Sequence, residues 1–198
     1  MRSRRGFTLM EVAVAAVIIA MLAAVSAPSL IYFLDKQRAK TTGDLLASVG
    51  AGIAAFGNGV KTAAGATNTT YPGFISELST QIVLGSAIFH NSCGVAGTFN
   101  ANAVSTWATN GPFVTFFIPA GGLQSPLGLL QDSLVRNPAS ATAGTLGIRL
   151  SAIDTADATL LDQVVDGGDG GASGVLRIGN VSAGHADITY LVPVGAHC

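Results

Sequence analysis

Few side chains in this 198-residue sequence are spaced as chemistry would require. His90, His185 and His197 are scattered, and none stands at metal-ligand spacing from a cysteine or an acid. Serine and threonine are abundant, yet no Gly-x-Ser-x-Gly nucleophile turn occurs. Asp162, Asp166 and Asp169 offer hard oxygen ligands of the kind calcium takes, six to eight at a time. Counted from Asp166, however, Gly168 and Gly170 occupy the third and fifth positions of an EF-hand-like loop, and its closing Glu is missing. That stretch reads as a glycine-rich helix-to-strand turn. No catalytic residue, metal site or cofactor is therefore expected. Glu11 is different: it is a lone carboxylate at the start of an apolar run, five residues after Gly6. An acid there is expensive to bury, and the chemistry open to it is pairing with a cation.

The element that positions Glu11 is a helix. Residues 12–34 form a run of 23 without a formal charge. At about 1.5 Å rise per residue such a helix spans roughly 34 Å, enough for a bilayer core of about 30 Å. A secretory signal would have a shorter apolar run and a small-x-small cleavage site before a polar mature start. Pro28 lies inside the run, where it removes a backbone donor and predicts a kink over residues 24–28. After Asp35-Lys36-Gln37-Arg38 the helical spacing resumes: Leu45, Leu46, Val49, Ile53 and Phe56 give one apolar face, to be packed on a sheet. Gly43, Gly50 and Gly52 on this helix point to close packing, and Gly57-Asn58-Gly59 is a stop signal.

The order Arg4-Arg5-Gly6-Phe7-Thr8-Leu9-Met10-Glu11 before an apolar helix resembles the N-terminal signature of type IV prepilins and of type II secretion pseudopilins. Pro28, the 22nd residue after Gly6, stands where many members of that family carry a proline. The resemblance covers residues 1 to about 56. It implies that a prepilin peptidase cuts between Gly6 and Phe7, that the new Phe7 amine is methylated, and that Glu11 pairs with a cationic N-terminus during assembly. It also implies a C-terminal disulfide, which here joins Cys93 to Cys198 in an oxidising compartment. Arg2, Arg4 and Arg5 would hold the leader in the cytoplasm.

The remaining sequence fits such a role. Lys plus Arg number 10 and Asp plus Glu 11, a net of −1; without the three leader arginines the net is −4. An acidic chain does not look like a nucleic-acid binder, so no nucleic-acid partner is expected. Residues 74–84 suggest a short helix. Residues 113–118, Phe-Val-Thr-Phe-Phe-Ile, read as the clearest strand. Residues 123–130 show no decisive pattern. Residues 146–153 alternate as a strand, Asp154 caps a short helix with Leu160, Leu161, Val164 and Val165 on its buried side, and residues 175–178 and 188–192 form the last strands. Trp107 and Phe113 read as core residues.

The resulting expectation is an α+β chain of type IV pilin fold, with a long N-terminal hydrophobic helix packed on an antiparallel β-sheet. Its segments are a removable leader (1–6), a transmembrane or filament-core half-helix (7–34), an amphipathic half-helix (35–59) and a globular α+β head (60–198). The expected function is structural, as a major or minor pilin polymerised from the inner membrane into an extracellular filament for adhesion, motility or conjugation. The alternatives are a type II secretion pseudopilin in a periplasmic pseudopilus and, from another class, a membrane-anchored binding protein or enzyme. Expected partners are further copies of the chain, prepilin peptidase, the assembly machinery and, before assembly, the inner membrane.

Overall fold

The structure is a computed structural model, and it describes residues 8–63, 69–85, 88–91, 96–136 and 144–194. The chain divides into two compact units, Met1–Gln37 and Arg38–Cys198. Helix α1 (Leu9–Gly59) contributes to both.

In the first unit, α1 carries its apolar residues on every side. From residue 9 to residue 34 each large apolar side chain is more than half exposed, from Val14 and Leu34 at 51 % to Leu9 at 90 %. A helix that is apolar all round belongs in lipid or inside a bundle. The helix runs through Pro28 without ending there. Its two serines in this unit turn to the helix backbone: Ser26 Oγ donates to the Leu22 carbonyl (2.6 Å) and Ser29 Oγ to the Ser26 carbonyl (2.8 Å). Capping backbone acceptors this way leaves little polar surface facing outward.

The second unit is built on a six-stranded sheet whose pairings among the described residues are all antiparallel. Its strands are β4 (Leu123–Gln124), β5 (Leu129–Leu130), β6 (Val135–Arg136), β7 (Thr145–Asp154), β8 (Leu176–Ser182) and β9 (His185–Pro193). Their order is β4-β5-β7-β9-β8, with β6 also on β7. Helix α3 (Thr155–Val165) joins β7 to β8. A smaller sheet holds β1 (Thr70–Pro72), β2 (Ile88–Asn91) and β3 (Ala96–Thr98). A 3-10 turn (Ile75–Leu78) and helix α2 (Ala101–Asn110) complete the unit.

The expected alternation sets the sheet. Leu146, Ile148 and Leu150 of β7 and Ile188 and Val192 of β9 are buried on one face. Leu46, Val49, Ile53 and Phe56 of α1 supply the opposing apolar layer. The α1 glycines fit closely against this unit: a Cβ at Gly52 would stand 2.7 Å from Val114 Cγ1, and one at Gly50 would stand 3.3 Å from Val192 Cγ2. The loop joining β8 to β9 is only Ala183-Gly184, with φ of 50° and 83°. This is the left-handed pair that a two-residue hairpin needs, and it is tighter than the gap left between the expected strands 175–178 and 188–192.

The segment 113–118 is not a strand. Phe113 N donates to the Leu78 carbonyl (2.8 Å) and Ile118 N to Ser79 Oγ (2.9 Å), so it is tied at single points rather than by a ladder. Pro112 and Pro119 at its ends withhold ladder donors, and its apolar residues serve packing instead. Phe113 lies 5.2 Å from Phe56 and 6.0 Å from Trp107, centroid to centroid.

Helix α2 went unread in the sequence. Its cap is Asn100, whose Oδ1 accepts from Ala103 N (2.9 Å). Its polar side chains close the C-terminal end of α1. Asn110 Nδ2 donates to the Gly59 carbonyl (2.8 Å), Asn102 Nδ2 to that of Lys61 (2.7 Å) and Asn100 Nδ2 to that of Thr62 (2.6 Å). The first satisfies an acceptor that the helix end leaves bare, and the other two hold the residues that follow it.

Candidate functional site

The N-terminal turn of α1 is a closed capping box. Thr8 precedes the first helical residue, Leu9, and Glu11 is the third helical residue. Glu11 N donates to Thr8 Oγ1 (3.2 Å), and Thr8 N donates back to Glu11 Oε2 (3.1 Å). The Thr8 hydroxyl also donates to the same carboxylate oxygen, at 3.2 Å. Two backbone donors that the helix start would leave unpaired are thus satisfied reciprocally. The carboxylate also stands at the positive end of the helix dipole, where negative charge is favoured. The Thr-x-x-Glu spacing carried this signal, and the sequence reading passed over it. Glu11 lies in an open, mostly apolar hollow between Met10, Val14 and Ile18.

Of the other sequence-derived positions, Pro28 lies within the exposed apolar part of α1. Gly6, Phe7, Cys93 and Cys198 fall outside the described residues. The three aspartates of the glycine-rich turn do come together, with one carboxylate oxygen from each within 4.8 Å of the others. Each holds part of the turn. Asp162 Oδ2 accepts from Gly170 N (2.9 Å), Asp166 Oδ2 from Leu176 N (2.8 Å) and Asp169 Oδ1 from Gly171 N (3.0 Å). Ser173 Oγ donates to Asp169, and this bond holds the Asp169 carboxyl below the usual range. Gly167, Gly168, Gly170 and Gly171 all have positive φ, which explains their number.

A second acid was missed. Glu77 is buried in the turn that follows the isolated bridge between Phe74 and Ser133. Its Oε2 accepts from Gly73 N (2.9 Å) and Phe74 N (3.2 Å), while Oε1 has no partner among the described residues. Burial pushes its carboxyl up to about 7, against the two amide bonds that pull it down; nearby Asp132 pushes the same way as burial. Asp132 is committed to Ser76 N (2.9 Å), Ser76 Oγ (3.0 Å) and Gly121 N (3.2 Å). A single Glu in a mixed stretch carries no periodicity that marks it as buried.

The capped acid at the head of an exposed apolar helix is the feature with a counterpart among known proteins. Residues 1–27 match the family model described as the prokaryotic N-terminal methylation motif. Over these residues the chain is similar to type IV prepilin-like proteins. The match spans the basic leader, Glu11 and most of the apolar run, and it stops before the head. No curated protein and no solved structure matches the chain. The architecture agrees with the motif: a long apolar N-terminal helix is followed by an antiparallel sheet in a mixed α+β unit, as in the type IV pilin fold. Its helix is long and apolar enough to cross a membrane.

Proposed function

We propose that this prepilin-like chain is a structural subunit of a type IV pilus. It is inserted in the inner membrane as a precursor, with its basic leader on the cytoplasmic side. A prepilin peptidase cuts between Gly6 and Phe7, where a glycine lets the backbone enter a tight active site without a side-chain clash. The freed Phe7 amine is methylated. Assembly machinery then draws the subunit into a filament, with the apolar half-helices bundled at its centre.

The observation that carries this reading is the methylation motif placed on a helix whose large apolar side chains are all exposed from residue 9 to residue 34. Lipid covers such a surface in the membrane, and neighbouring copies can cover it in a fibre. The move from one to the other need not expose it to water, so it need not forfeit the hydrophobic stabilisation. Glu11 gives the bundle a register. Four residues from Phe7, it can reach a cationic amine, its own or a neighbour's, and a shifted subunit would leave a carboxylate unmatched in apolar surroundings. The reading assigns the chain no catalysis.

The test is to shear filaments from intact cells and sequence their main component by mass spectrometry. The expected result is this chain, beginning at Phe7 and one methyl heavier. Recovery only from membranes with residues 1–6 attached would overturn the reading. A processed chain confined to short periplasmic filaments would replace it with a secretion pseudopilus.

A further inference from the structure

The face of the large sheet turned away from α1 carries a cationic groove that the filament reading does not use. Side chains alternate across a strand, so residues paired in register share a face. Arg149 on β7 and Arg177 on β8 both pair with Thr189 on β9. The three therefore form one row across three strands, with a guanidinium on either side of Thr189. They line a groove of about 610 Å³ together with Val135, Asn180 and Asp187. At Gly179 on its floor a Cβ would meet nothing within 4 Å, so the groove is open there.

The charges in this groove are unevenly committed. Both Asp187 oxygens are taken: Oδ1 accepts from Ala152 N (3.1 Å) and Oδ2 from Asn180 Nδ2 (3.2 Å). Asp169, which feels the Arg177 charge, is held by Gly171 and Ser173. Arg177 returns one N–H to the Leu176 carbonyl (3.3 Å), and its buried Nε has no partner among the described residues. Arg149 is exposed, and its side chain makes no hydrogen bond to the described residues. Two forks built for planar oxoanions thus stand about two strand spacings apart, roughly 10 Å at the backbone, with donors to spare. Arginine stems are long enough for both heads to close on one anion between them.

We propose that this groove binds an acidic sugar, with its single oxoanion held between Arg149 and Arg177 and its hydroxyls against Thr189 and Asn180. The net charge of the whole chain, −1, disfavours long polyanions, and Asp187 on the groove wall disfavours a second anionic group on the ligand. The volume is that of a small-ligand site. The inference does not depend on the filament reading, and its test needs no filament.

The experiment follows the arginine Nε–H signals of the full chain in non-ionic detergent by NMR. Glucuronate, glucose 1-phosphate and neutral glucose are titrated separately. At least one acidic sugar should shift the Arg149 and Arg177 signals saturably, at a concentration about tenfold or more below any effect of glucose. A response to glucuronate alone identifies a carboxylate ligand, and a response to glucose 1-phosphate alone a phosphate ligand. Arg149→Gln and Arg177→Gln should each weaken binding about tenfold, the loss of one charge-assisted contact. Shifts that never saturate for either acidic sugar, or affinity unchanged in both variants, would overturn the proposal. The ligand series on the unaltered chain keeps the test valid if a variant misfolds.

Discussion

Glu77→Gln should make the protein more stable at alkaline pH and remove most of a pH dependence that the wild-type chain shows. The Glu77 carboxyl is pushed from 4.5 up to about 7, chiefly by burial. At 1.36 kcal/mol per unit this corresponds to roughly 3 kcal/mol. Between those two values the folded chain holds a proton that the unfolded chain has released. Stability falls with rising pH wherever the folded state binds more protons. The contribution is therefore fully present below about 4.5 and lost as pH rises through about 7. Above that, folding buries a carboxylate whose Oε1 has no partner among the described residues. A glutamine keeps an oxygen for the Gly73 and Phe74 amides and never ionises. The variant should match wild type near pH 5 and exceed it by about 2–3 kcal/mol at pH 8, or roughly 5–10 °C in Tm. Urea unfolding of the full chain in non-ionic detergent, at pH 5 to 8, measures this directly. Trp107 is the only tryptophan, and its Nε1–H donates to the Glu77 carbonyl (2.9 Å), so its fluorescence reports on the site. Wild-type and variant stabilities that stay parallel across this pH range would refute the reasoning.

Gly52→Ala should cost about 1–3 kcal/mol in the same assay despite the better helix propensity of alanine, because the added carbon would stand 2.7 Å from Val114 Cγ1 and 3.2 Å from the Phe113 carbonyl. A neutral or stabilising result would mean that this contact yields freely. Ala152→Gly should gain about 0.5–1 kcal/mol, because Ala152 is held at φ 57° in an exposed bulge of β7; a loss would show that the bulge is not strained. Glu11→Val and Glu11→Gln should both be inserted and processed but under-represented in sheared filaments relative to membranes. Glutamine keeps the capping box, so a filament share equal to wild type for Glu11→Gln would show that the cap, not the charge, is what assembly uses. Cys93 and Cys198 should appear as one cross-linked pair in non-reducing peptide maps of exported protein, and two freely alkylated thiols would exclude the bond.

What the sequence made legible were the features with a period. The apolar run of α1, its 3.6-residue face from Leu45 to Phe56, the alternation of β7 and the Asp154 cap each repeat or punctuate in a way that backbone geometry imposes. The segment 113–118 failed because an apolar run without alternation says only that it is buried. Its bounding prolines argued against a ladder, and packing against Phe56 and Trp107 uses the same residues as well as a strand would. Helix α2 was missed because it is short and mostly small. Yet Ala103, Val104 and Trp107 stand at helical spacing behind the N-cap Asn100, and Gly111-Pro112 ends the stretch.

The candidate site divides along the same line. Glu11 was conspicuous because a lone charge at the head of an apolar run has no neutral explanation in lipid. Glu77 and the Arg149–Thr189–Arg177 row were invisible because their meaning lies in tertiary register. Arginines 28 positions apart become neighbours only once β9 is inserted between β7 and β8. The Thr8–Glu11 box shows that a conspicuous residue can hold two roles at once. Its carboxylate already closes the helix start with two hydrogen bonds from Thr8, so an incoming cationic amine meets an acid that is oriented before it arrives. Holding the acid by the helix it belongs to lowers the entropy lost when the pair forms. The cap and the proposed pairing therefore reinforce each other, because the threonine that starts the helix also fixes the charge by which one helix can find the next.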